Sequence, residues 1–164
     1  MDIIEKLSER WSGIDYPFLI HANGSLKFDE VAKQQLVNLA DVKSGDVVAL
    51  IGDFNSQSIL TLLQLIDKNV ILVPLTVDTR TQHEYFFESA LVDVVIEGDE
   101  VKRLNHSQRH EFIDEIRSKE HAGLVLFSTG TTGRPKAILH DLTLFMQRFE
   151  TPRPTLKTIN FLLF

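Results

Sequence analysis

Four short aliphatic runs, at residues 47–51, 70–73, 92–96 and 123–127, restrict what this 164-residue chain can fold into more than any other feature. Each has the length of a strand and, Asp93 apart, is apolar at successive positions, so both faces of the sheet need cover. Helical patterns fall between them. After Gly52-Asp53, Asn55 or Ser56 can begin a helix whose Ile59, Leu60, Leu62, Leu63, Leu65 and Ile66 are apolar round most of its circumference. Thr79 or Thr81 can cap another through Tyr85, Phe86 and Phe87. Strands separated in this way cannot be joined as hairpins and pair in parallel through crossovers. The fold class is therefore α/β, a largely parallel sheet flanked by helices.

The remaining segments fit around that sheet. Ile3, Ile4, Leu7 and Trp11 follow Asp2 at helical spacing and predict an opening helix. Residues 17–22 and 25–28 predict a hairpin turning on Asn23-Gly24, and Asp29 is expected to cap a helix through Val31, Leu36, Val37, Leu39 and Ala40. Pro74 is expected to stop the strand at 70–73. Phe112, Ile113 and Ile116 mark one surface helix, preceded by a short edge strand at 101–104. A strand at 136–140 leads to a helix capped by Asp141 and carrying Leu142, Leu144, Phe145, Met146 and Phe149, which Thr151-Pro152-Arg153-Pro154 breaks. Residues 159–164 read as an interior strand that ends on an apolar residue. Chain ends ordinarily lie at the surface, so the expectation is a chain cut within a strand, its C-terminal portion missing.

Between the strands at 123–127 and 136–140 stands Ser-Thr-Gly-Thr-Thr-Gly-Arg-Pro-Lys, residues 128–136. Gly130 and Gly133 let backbone N–H groups approach a ligand. The hydroxyls of Ser128, Thr129, Thr131 and Thr132 can donate to anionic oxygens, and Lys136 adds a cation, which together make the inventory of a polyphosphate cradle. A dinucleotide fingerprint needs Gly-x-Gly-x-x-Gly opening a helix, whereas these glycines stand at 130 and 133 and a strand pattern follows Pro135. A Walker A loop ends in Gly-Lys-Ser or Gly-Lys-Thr, whereas Lys136 stands between Pro135 and Ala137. A glycine-rich hairpin without a ligand is the structural alternative.

Position by position, the nine residues resemble the phosphate loop of the adenylate-forming enzymes, the superfamily of acyl-CoA synthetases, aryl-CoA ligases, firefly luciferase and peptide synthetase adenylation domains. The resemblance continues upstream through Gly45-Asp46-Val47-Val48-Ala49-Leu50, the leucine-rich helix, Asn69-Val70-Ile71-Leu72-Val73-Pro74-Leu75 and the helix at 81–90. Ala137 replaces the glycine that commonly follows the loop lysine. The resemblance implies that residues 1–164 are a partial AMP-binding domain, the first portion of the large N-terminal domain of such an enzyme. It also implies a reaction in which ATP and a small carboxylic acid give acyl-AMP and pyrophosphate, with transfer to a thiol of CoA or a carrier protein. Ser128, Thr129, Gly130, Thr131, Thr132, Gly133 and Lys136 would bind the phosphates, and Mg²⁺ would arrive with ATP. The family's ribose, adenine and Mg²⁺ contacts and its catalytic lysine would lie in the missing C-terminal portion. The chain alone is thus expected to hold no catalytic residue and to be inactive. A non-catalytic phosphate or nucleotide-binding module, or the product of a decayed gene, is the alternative.

Charge and composition narrow the partners. Residues 1–127 carry 12 Lys and Arg against 21 Asp and Glu, and residues 128–164 carry 5 against 2. An acidic body argues against nucleic-acid binding, and a basic segment starting at the loop suits a small anion. Cysteine is absent, which excludes disulfides, thiolate metal sites and a cysteine nucleophile. With no signal peptide and no run long enough for a membrane span, the expected location is cytoplasmic. No His, Asp and Glu set has metal-ligand spacing. Asp53, Asn55 and Ser56 follow a strand where α/β folds place ligands, though helix capping explains them equally. His140 can be catalytic or structural, and Glu84 and Glu88, near His83, read as a solvated helix face.

Overall fold

The computed structural model describes residues 3–21, 24–33, 37–53, 55–128 and 133–148. The chain opens with α1 (Ile3–Trp11), an antiparallel hairpin of β1 (Leu19–His21) and β2 (Gly24–Leu26), and α2 (Phe28–Ala32). The aliphatic runs follow as β3 (Val47–Ile51), α3 (Ser56–Asp67), β4 (Ile71–Leu75), a 3-10 turn (Val77–Gln82), α4 (His83–Ala90) and β5 (Val94–Glu97). Then come β6 (Glu100–Arg103), α5 (Glu111–Ser118), β7 (Gly123–Ser128), β8 (Lys136–Asp141) and α6 (Leu142–Gln147).

Six strands form one sheet in the order β6-β5-β3-β4-β7-β8. The four central strands are parallel and the two edge strands antiparallel to their neighbours, so the parallel sheet read from the sequence is its core. Side chains alternate between faces at the strand period. Val47, Ala49, Ile51, Ile71, Val73 and Leu75 pack under Phe86 and Ala90 of α4 and Ile113 and Ile116 of α5. Val48, Leu50, Leu72, Val94 and Ile96 pack on the other face against Leu65 of α3. That side continues through Ile3, Phe28, Leu63, Ile66 and Leu142, which join α1, α2, α3 and α6. No helix among the described residues is long and apolar enough to cross a membrane.

Several elements differ from the sequence expectation, each for a local reason. Pro74 does not stop β4 but pairs with Leu50 inside it. Ile71 N donates to Asp46 O on the β3 side, so by alternation the nitrogen of Pro74 faces β7, whose register with β4 covers only Ile71 and Leu72. No ladder bond is lost there. His21 pairs with Gly24, so Gly24 belongs to β2 rather than to the turn. Asp29 does not cap α2: Lys27 holds that position, with Glu30 closing back on its N–H, and the helix ends at Ala32. Val37 and Leu39 are buried outside any helix, while Leu36, Phe149 and residues 151–164 lie outside the described residues. Neither Thr79 nor Thr81 caps α4, because both are taken up in the 3-10 turn before it.

Two expected caps are present. Asp141 accepts from Leu144 N at 2.9 Å and Asn55 from Ser58 N at 2.9 Å. Asn55 is exposed, so Asn55→Ala removes an acceptor without opening a cavity. It is expected to cost about 1 kcal/mol, a fall of about 3 °C in melting temperature, which a thermal scan monitored by circular dichroism would register.

At the amino end of the sheet, Asp93 ties three elements together. It accepts from Val47 N at 2.8 Å and Arg117 at 2.8 Å and pairs with His106 at 3.0 Å, while Arg117 also donates to Gly45 O at 2.8 Å. This network fixes α5 to the starts of β3 and β5, at the end of the sheet opposite the 128–136 loop.

Candidate functional site

The loop leaves β7 at the carboxyl end of the parallel strands, where ligands bind in open α/β sheets. β7 and β8 pair as an antiparallel hairpin, with Ser128 opposite Lys136 and Phe127 opposite Ala137. Two residues eight positions apart in sequence are thus brought face to face, and directly opposite residues share one face of a sheet. Ser128 is half-buried and Lys136 exposed. Lys136 makes no ion pair with any described residue. Gly133 is also exposed, and a Cβ built on it would meet nothing within 4 Å. Thr129, Gly130, Thr131 and Thr132 lie outside the described residues.

The strand leading out is not buried, contrary to what its apolar residues suggest. β8 is an edge strand and Ile138 is 44% exposed. Its position near the loop is held from α4 instead. Tyr85 donates its hydroxyl to Pro135 O at 2.7 Å, and the Arg134 guanidinium lies 5.4 Å over the Tyr85 ring. One residue on, Phe86 stacks on Phe127 with ring centroids 4.1 Å apart. The helix therefore touches both limbs of the hairpin. Neither contact was foreseen from sequence, where Tyr85 and Phe86 are only apolar positions of a helix.

α4 is itself anchored to the end of β4. His83 is buried, not part of a solvated face, and its Nε2 lies 3.0 Å from Thr76 O and 3.1 Å from Thr79 Oγ1. Thr79 Oγ1 donates to Thr76 O, so an N–H at Nε2 satisfies the ring there. Glu84 and Glu88 are exposed as read. Nearby, Arg80 bonds Glu97 at the end of β5 and holds that carboxyl below the usual carboxylate range.

The other candidates are separate from this hairpin. Asn55 is occupied as the cap of α3, and Asp53 is exposed beside it. A cavity of ≈ 200 Å³ lies between the ends of β3 and β4, lined mainly by apolar groups of Leu50, Ile59, Leu62, Pro74 and Leu75. His140 is exposed on β8, opposite Leu124. Among the described residues no group of three or more His, Asp or Glu is placed to hold a metal ion.

The described part of the loop fits a polyphosphate. It offers a hydroxyl-bearing residue directly opposite a lysine across the hairpin neck, a positive charge with no ion pair among the described residues, and an open glycine.

No family model matches the chain, and no curated protein matches it. Solved structures do match. The chain is similar to the N-terminal subdomain of NpsA from Klebsiella oxytoca in complex with 3-hydroxybenzoyl-AMSN, with 21% identity and a TM-score of 0.61 over 84% of this chain and 39% of that one. It is similar to VinN in complex with L-aspartate, at 16% identity and a TM-score of 0.59, over 87% of this chain and 47% of that one. It is also similar to O-succinylbenzoate coenzyme A synthetase (MenE) from Bacillus subtilis in complex with AMP, at 16% identity and a TM-score of 0.58, over 82% and 40%. The fold, a mostly parallel six-stranded sheet flanked by helices, matches part of the N-terminal domains of adenylate-forming enzymes. The chain spans less than half the length of each of these structures.

Proposed function

We propose that residues 128–136 are the phosphate-binding loop of an AMP-forming acid ligase and that this chain is the first part of its large domain. The observation that carries this reading is the pairing of Ser128 with Lys136 at the neck of a loop that resembles the family signature at every position and leaves the carboxyl end of a parallel sheet. The likeness of fold to a coenzyme A synthetase in complex with AMP, and to a subdomain in complex with 3-hydroxybenzoyl-AMSN, supports it.

ATP, when bound, supplies the α-phosphorus that a carboxylate attacks and the pyrophosphate that leaves. The chain's own part is electrostatic. Lys136 places a positive charge, Ser128 and the three threonines place hydroxyl donors, and Gly130 and Gly133 let amides approach, where negative charge develops on the leaving group. Mg²⁺ is assigned no protein ligand in this chain and would enter with the nucleotide. A small carboxylic acid is the substrate class, and a thiol of CoA or a carrier protein the acceptor. The absence of cysteine suits a reducing cytoplasm.

Binding and turnover should separate in this chain. The 164 residues are expected to bind MgATP and inorganic pyrophosphate through the loop, yet to catalyse no carboxylate-dependent exchange of labelled pyrophosphate into ATP. Exchange above the no-enzyme background with any acid of a panel would show that this portion carries the complete chemistry and would contradict that division. Failure of the chain to bind either phosphate compound would contradict the proposed loop.

A further inference from the structure

We propose that Tyr85 is the positioning residue of the loop, acting on Lys136 through the backbone of Pro135; this rests on the reading of the loop as a pyrophosphate site. The need for such a residue follows from the fold. β8 begins at Lys136 on the sheet edge, and Lys136, Ala137 and Ile138 are all exposed, so core packing does not fix where this limb starts. The opposite limb is different, since Phe127 stacks against Phe86.

Beyond the ladder to β7, Tyr85 supplies a side-chain constraint on the exposed limb. A peptide unit is planar, so a hydroxyl holding Pro135 O at 2.7 Å also fixes the plane that contains the Lys136 N–H. The face of the same ring carries Arg134, which sets the residue before Pro135 as well. Behind Tyr85, the helix is tied to the strand end by buried His83 through Thr76 and Thr79. The sheet terminus, α4, the Pro135 carbonyl and the loop lysine thus form one continuous mechanical path. Tyr85 touches no reacting atom in this scheme. It narrows the positions open to Lys136, so that less ordering is needed when an anion binds.

The test is a double-mutant cycle read by titration of the 164-residue chain with inorganic pyrophosphate. Tyr85→Phe keeps the ring beside Phe86 and under Arg134 and removes only the hydroxyl, so the fold is retained; circular dichroism checks this. Affinity is expected to fall about fivefold, the scale of one hydrogen bond between neutral groups. In a Lys136→Ala background the same change should have less than about a twofold effect, because residues acting as a unit are not additive. A purely structural role for Tyr85 would instead give equal losses in both backgrounds. Unchanged affinity in Tyr85→Phe, or an equal loss in both backgrounds, overturns this proposal while leaving the loop assignment standing. Absence of pyrophosphate binding by the unsubstituted chain overturns the loop assignment, and the role of Tyr85 with it.

Discussion

Leu72→Ala is expected to lower the unfolding free energy by about 3 to 5 kcal/mol, because it removes a leucine side chain from the middle of the sheet and leaves a cavity. Leu72 is 1% exposed on β4, between β3 and β7, and packs with Val48, Leu65 and Val94. Both neighbouring strands and the helix above it are held by the rest of the core, so the site cannot collapse to fill the gap. For a chain of this length the loss corresponds to a fall of about 10 °C in melting temperature. Denaturant titration should show a lower midpoint with an unchanged slope, the sign of lost stability rather than an altered denatured state. Phe112→Ala provides the contrast. Phe112 sits on α5 at 56% exposure, and its removal should cost less than about 0.5 kcal/mol. If the two substitutions cost the same, Leu72 does not lie in the core described above.

Lys136→Ala should reverse this pattern, with stability nearly unchanged and anion affinity much reduced. Lys136 is exposed at the start of an edge strand and has no ion pair with a described residue, so its removal strands no buried partner. The change in unfolding free energy should stay within about 0.5 kcal/mol. A charge-assisted contact to phosphate contributes about 1.5 to 3 kcal/mol, so pyrophosphate affinity should drop by about tenfold to a hundredfold. Lys136→Arg should recover part of the loss, since the charge is kept and the ammonium geometry is not. Raising the salt concentration should weaken binding to the native chain more than to Lys136→Ala, because one screened charge is absent from the variant.

The parts of this fold legible in the sequence are those that depend on local pattern. Val47 to Ile51 announce a strand buried on both faces, and Asn55 and Asp141 announce helix starts because a cap is a contact over three residues. What was not legible depends on neighbours far away in the chain. Pro74 is admitted into β4 only because its nitrogen faces the side where β7 has left the ladder. The apolar residues of β8 resemble those of a buried strand, and only the strand order shows that they form an edge.

The site divides in the same way. The glycines, hydroxyls and Lys136 could be read directly, since the spacing within one loop is a property of sequence. Tyr85 could not, because its hydroxyl meets Pro135 across 50 positions, and at the level of pattern it is one more aromatic residue in a helix. His83 stands in sequence beside Glu84 and near Glu88, whose charges predict a solvated face. In the fold it turns inward to the end of β4.

The central claim is that residues 128–136 hold pyrophosphate. Its most direct test is an amide chemical-shift map of the isotope-labelled chain during titration with inorganic pyrophosphate. The account predicts saturable shifts of the Ser128, Gly133 and Lys136 amides whose midpoint moves about tenfold to a hundredfold higher in Lys136→Ala, with little change at the other end of the sheet. Shifts centred instead on His106, Arg109 and Arg117, which line an open polar pocket around Asp93, or shifts at the loop with an unchanged midpoint in Lys136→Ala, would contradict it.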